Sequence, residues 1–186
     1  MRIKWFSLIR ITGLLLVLLY HFFQTIFPGG FFGVDVFFTF SGFLITALLI
    51  EEFSKNHEID LIGFFRRRFY RIVPPVVLMV LVTMPFTFLV RQDYVAGIGG
   101  QIAGVLGFMT NFYELLTRGS YESQFIPHLF VHNWSLAVEV HYYILWGLAV
   151  WFLSKQSRSN GQLRGMVFLL SVAAFLISFF SMFIGS

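Results

Sequence analysis

Arg10 and His21 lie in one apolar segment, RITGLLLVLLYH, with ten residues between them. On an α-helix, eleven steps of about 100° make three turns plus roughly 20°, so both side chains share one stripe, roughly 16 Å apart along the axis. A cation and a titratable imidazole inside a run apolar enough for lipid are costly there and mark function. His21 lies seven residues before Pro28, and Asp35 lies seven residues after it. Antiparallel helices joined at Pro28-Gly29-Gly30, a turn-forming run, bring the two to one depth. A carboxylate beside an imidazole fixes its tautomer and raises its basicity, as general-base catalysis requires. His21 and Asp35 are therefore expected to form such a couple. The plainer alternative is a polar pair that only ties two helices together.

A second cluster is FFRRRFYRIVPP. On a helix Arg67, Arg68 and Arg71 share one face, and Phe65, Phe69 and Ile72 share the other. This is the pattern of a basic amphipathic helix at a membrane surface. It serves either as a topology determinant that meets lipid phosphate or as a clamp for a polyphosphate ligand, because guanidinium forks match phosphate oxygens.

The third cluster is HNWSLAVEVHYY. Glu139 is the one carboxylate in its apolar stretch. His141, two residues on, points to the opposite side of a helix, about 200° away. His128, His132 and His141 match no familiar zinc-ligand spacing, so no metal is expected. Tyr142, Tyr143, Trp146 and Trp151 read as packing or interface aromatics.

These residues need a membrane to position them. Of 186 residues, 58% are hydrophobic and 12% charged, against about 25% charged in a soluble domain. The chain is expected to be an all-α, polytopic transmembrane bundle. Apolar stretches at 7–27, 31–50, 72–90, 135–154 and 165–186 each approach the roughly 20 residues of a span. A sixth, 94–113, is uncharged but rich in glycine, which lowers helix propensity. It is read as re-entrant or interfacial, or else as a sixth span. The apolar run after Met1-Arg2-Ile3-Lys4 continues through Phe27 with no small-residue cleavage site, so it reads as a retained first helix and not a signal peptide.

The net charge of +4 does not indicate nucleic-acid binding, because the cations cluster at the ends of apolar runs. Arg2, Lys4 and Arg10, the basic loop 51–71, and Lys155, Arg158 and Arg164 all favour the cytoplasmic side. The expectation is a multi-pass plasma-membrane protein, surrounded by lipid, with a cytoplasmic N-terminus. The absence of cysteine excludes disulfides and thiolate metal sites.

In order along the chain, Arg10 with His21, GGFFGVDVFFTFSGFLIT at 30–46, Arg68-x-x-Arg71 before Pro74, and NWSLAVEVHYYILW at 133–146 resemble the transmembrane acyltransferase-3 family. That family comprises O-acyltransferases of bacterial envelope glycans. Similarity is greatest to the membrane portion of its peptidoglycan-modifying members. The family usually carries a second carboxylate after Glu139, where this chain has Val140. Its membrane domains also have more helices than the five or six read here. Residues 1–186 thus read as part of a larger membrane domain, whose remaining helices, or an extracytoplasmic Ser-hydrolase domain, would be partners.

The resemblance implies an acyl-CoA donor, most simply acetyl-CoA, docked from the cytosol with its phosphates on Arg10, Arg68 and Arg71. The thioester would meet His21, held by Asp35 and acting as base or as acyl carrier. Ser41 and Glu139 would line the tunnel or orient the acceptor, a glycan hydroxyl. The alternatives are an inactive fragment or a non-enzymatic accessory membrane subunit. A transporter is disfavoured because the sequence has no internal repeat.

Overall fold

The computed structural model describes residues 4–23, 25–89, 97–117 and 128–184. Backbone in hydrocarbon must satisfy its own polar groups, which restricts a spanning segment to helix or closed barrel. The described residues form helices and no strands: α1 (Lys4–Phe22), α2 (Phe32–Asn56), α3 (Leu61–Phe86), α4 (Ile98–Leu106), α5 (Thr110–Thr117), α6 (Trp134–Gln156) and α7 (Asn160–Ile184). Short 3-10 turns occupy Pro28–Phe31, Thr87–Leu89 and Val131–Asn133. Helices α2, α3, α6 and α7 are long and apolar enough to cross a membrane, and α1 carries a shorter apolar run, Ile11–Phe22.

The basic stretch, expected as a surface helix within a loop over 51–71, is helical and continuous with the span that follows. α2 continues to Asn56 and α3 begins at Leu61. His57, at φ 54°, caps α2, its N–H donating to the Phe53 carbonyl at 2.8 Å. α3 then runs unbroken through Pro74, Pro75 and Pro85. Each proline removes one intrahelical donor, a loss that membrane helices tolerate where neighbours satisfy the backbone. Arg66 through Arg71 are therefore the opening turns of a span.

Over 97–113 no single spanning helix forms. α4 has 9 residues and α5 has 8, so α4 rises only about 14 Å. Phe108, at φ 53°, reverses the chain between them, and the Met109 N–H donates to the Gly104 carbonyl at 2.7 Å. Tyr113 folds back onto Gly100, where a Cβ would lie 2.8 Å from its ring.

The chain divides into two compact units. The first comprises residues 1–41 and 62–143. Its core joins Val76 and Val80 of α3 to Val105 of α4 and Phe130, with Met79, Ile102 and Leu136 packed around them. In the same unit α1 meets the start of α2 through glycine. A Cβ on Gly33 would lie 2.7 Å from the Gly13 carbonyl and 2.8 Å from Val17 Cγ2. A Cβ on Gly30 would collide with the Leu16 carbonyl and with Tyr20 Cβ. Small residues let membrane helices approach this closely.

The second unit comprises residues 42–61 and 144–186. Ile45, Leu49, Phe53, Ile59, Val150 and Leu163 are buried within it. Trp146 Nε1–H donates to Thr46 Oγ1 at 2.9 Å, and Asn160 Nδ2–H donates to Ser54 Oγ at 2.9 Å. Lys155 pairs with Glu58 at 2.6 Å. From Ser171 to Ile184 every residue of α7 is exposed, an apolar surface suited to lipid.

Candidate functional site

Gly13, Leu16, Val17 and Tyr20 form the stripe of α1 that faces the start of α2. Positions 10 and 21 lie about 20° apart on that helix, along one edge of the stripe. The side chain of Arg10 lies outside the described residues. His21 lies in the last turn of the helix and is exposed. Its Nδ1 lies 2.8 Å from the Val17 carbonyl. A carbonyl only accepts, so Nδ1 carries the hydrogen and Nε2 is the basic nitrogen of the neutral ring.

The structure does not bring Asp35 onto the face of α2 that meets α1. Asp35 is exposed in the first turn of α2, and no hydrogen bond or ion pair joins it to His21 among the described residues. The reason is rotational phase. Gly33 and Phe37, four residues apart, face α1. Asp35 stands two residues from each, about 200° around the helix, and so turns away. Matched depth is not a matched face. Where it stands, the carboxylate complements the positive N-terminal end of α2.

Besides its neighbour Tyr20, whose ring centroid lies 5.6 Å away, His21 meets the ring of His132. The two imidazole centroids are 5.1 Å apart with planes at 69°. His132 sits on the 3-10 turn Val131–Asn133 that leads into α6. The three histidines weighed as a metal set go to three places. His132 meets His21, His128 pairs with Glu114 through Nδ1 at 2.9 Å, and His141 packs at 5.5 Å from the Phe112 ring.

Glu139, half-buried in α6, accepts hydrogen bonds on Oε1 from the hydroxyls of Ser41 in α2 and Tyr143 in α6. Tyr143 is buried, and the Arg68 guanidinium carbon lies 5.9 Å from its ring centroid and 5.7 Å from that of Phe64. Arg68 is half-buried, whereas Arg71, one turn on, is exposed. The structure thus aligns Ser41, Glu139, Tyr143 and Arg68 from three helices of the first unit. The spacing i, i+4 from Glu139 would have marked Tyr143 as more than packing. No local signal joins His132 to His21 across more than a hundred residues.

These features define a polytopic helical membrane protein with an exposed imidazole pair and a separate arginine–tyrosine–carboxylate column. The acyltransferase-3 family model, described as an acyltransferase domain, matches residues 3–186, and the chain belongs to that family. It is similar to the O-acetyltransferase OatA of Staphylococcus aureus (strain NCTC 8325 / PS 47), with 32% identity over 145 residues, 78% of this chain and 24% of that protein. It is also similar to the peptidoglycan O-acetyltransferase OatA of Listeria monocytogenes serovar 1/2a (strain ATCC BAA-679 / EGD-e), with 31% identity over 139 residues, 74% of this chain and 22% of that protein. The chain spans about a quarter of the length of these curated relatives. No solved structure matches it.

Proposed function

We propose that this chain forms the acyl-transferring membrane part of an O-acetyltransferase, which moves an acetyl group from acetyl-CoA to a hydroxyl of an envelope glycan such as peptidoglycan. The observation that carries this reading is His21 itself. Its Nδ1–H is tied to the Val17 carbonyl, which aims a basic Nε2 from the end of α1, three turns beyond position 10 on the same edge. A pantetheine arm running along that edge would bring a thioester from a phosphate clamp to the imidazole.

In this reading the N-terminus is cytoplasmic. Arg10, Arg68 and Arg71 hold the donor's phosphates, and His21 acts as base or transient acyl carrier. Glu139, with Ser41 and Tyr143 donating to it, orients reacting groups inside the bundle. Asp35 faces away from α1 and is assigned to the acceptor, whose sugar hydroxyls its carboxylate can receive. The names of the relatives support acetyl as the group and peptidoglycan as the acceptor.

The test is transfer of label from [1-14C]acetyl-CoA to muramic-acid-containing glycan by the detergent-solubilised protein. His21→Ala should abolish transfer while the protein stays in the membrane. A wild-type chain that neither binds nor passes on the label would mark it as non-enzymatic.

A further inference from the structure

The turn that presents His132 to His21 is held from behind by polar groups that the donor path does not use. Glu114, buried on α5, receives His128 Nδ1–H on both oxygens, at 2.9 and 3.0 Å. The His128 carbonyl accepts the Val131 N–H at 3.2 Å. Gln101, buried on α4, accepts the Phe130 N–H on Oε1 at 3.3 Å. The Phe130 carbonyl in turn receives the Asn133 backbone N–H at 3.0 Å and its Nδ2–H at 3.3 Å. Burying a carboxylate and an amide is costly unless each is hydrogen-bonded, and here those bonds converge on one short turn. The exposed residue on that turn is His132, with its ring 5.1 Å from that of His21.

We propose that His132 is a second catalytic imidazole, which takes the proton of the acceptor hydroxyl, and that Gln101 and the Glu114–His128 pair are positioning residues for it. The inference rests on the acyl-transfer reading above. The chemistry balances as follows. His21 Nε2 bonds to the thioester carbonyl carbon, the C–S bond breaks, and the coenzyme leaves as thiolate. The acceptor oxygen then bonds to the same carbon, the N–C bond breaks, and the hydroxyl proton passes to His132. From His132 the proton goes to the thiolate, so the products are an O-acetyl ester and the free thiol of coenzyme A.

The chain is assayed with [1-14C]acetyl-CoA and a muramic-acid-containing glycan. His132→Gln should lower transfer to glycan roughly 100-fold or more while the label still arrives on the protein. Glu114→Ala should lower kcat with the donor KM unchanged, and Glu114→Gln, whose amide oxygen can still accept from His128, should restore part of it. Transfer by His132→Gln at the wild-type rate overturns the inference and leaves the acyltransferase reading standing.

A readout without turnover keeps the two separate. The chain has no cysteine, so His21→Cys with His132→Cys creates one candidate disulfide. It should form quickly under mild oxidant and slowly when Glu114→Ala is added. If the wild-type chain transfers nothing, the acyltransferase reading fails. A crosslink that does not form, or that is indifferent to Glu114, overturns the inference by itself.

Discussion

Gly33 faces the backbone of Gly13 so closely that an added methyl would lie 2.7 Å from the Gly13 carbonyl oxygen. That contact sets the rotation of α2 against α1, and the rotation decides which side chains can reach His21. Gly33→Ala should push the helices apart, at a cost of about 1–3 kcal/mol for overpacking. Thermal unfolding in detergent should show the loss. Gly29→Ala is the control, because its added methyl meets nothing nearer than Phe32 Cδ2 at 3.9 Å. Equal melting of the two variants would contradict the close contact.

Asp35 stands about half a turn away from the α1-facing stripe. Asp35→Asn should therefore raise the KM for glycan and leave release of coenzyme A in the donor half-reaction unchanged. A carboxylate that orients a catalytic imidazole behaves otherwise, and its loss lowers kcat by about 10⁴-fold. Steady-state kinetics with the donor and the acceptor varied in turn separates the two outcomes.

Ser41 and Tyr143 both donate to Oε1 of Glu139. Removal of either hydroxyl should cost about 1.5–3 kcal/mol, the range for hydrogen bonds to charged groups. Because they share one acceptor atom, Ser41→Ala and Tyr143→Phe should be non-additive when combined. A double-mutant cycle on unfolding free energy measures the coupling, and strict additivity would remove the shared-acceptor geometry.

Arg68 and Arg71 are assigned to the donor's phosphates. Arg68→Ala should raise the KM for acetyl-CoA roughly 10- to 100-fold, as loss of a charge-assisted contact requires. Arg68→Lys should rescue it poorly, since an ammonium cannot reproduce the planar fork. Arg71, which is exposed, should show the smaller effect. If both variants left donor KM unchanged, the clamp would lie elsewhere.

Membrane orientation is open to single-cysteine labelling. Cysteine in place of Glu58 or Ser159 should react with a membrane-impermeant maleimide only after cells are opened. Cysteine in place of Thr25 should react in intact cells. The opposite pattern would invert the proposed topology.

The helical membrane architecture was legible in the sequence, because lipid permits few solutions for an apolar backbone and the apolar runs are near spanning length. That positions 10 and 21 fall on one helix was legible too, since a helix of fixed pitch converts spacing into direction. Glu139 was identifiable as the one carboxylate in its stretch. Helix ends were less so: the arginines of 66–71 read as a separate surface helix in a basic loop, whereas they belong to the same helix as the span that follows, because charge near a membrane edge does not stop intrahelical hydrogen bonding.

What only tertiary structure decided was pairing. Depth follows from residue counts along each helix, but the face that a helix turns to its neighbour depends on close packing. Gly13, Gly30 and Gly33 set that face, turning Asp35 outward, while Gln101 and Glu114 on the α4–α5 hairpin hydrogen-bond to Phe130 and His128, just before the turn where His132 meets His21. Such contacts join residues far apart in the chain, and no local spacing encodes them.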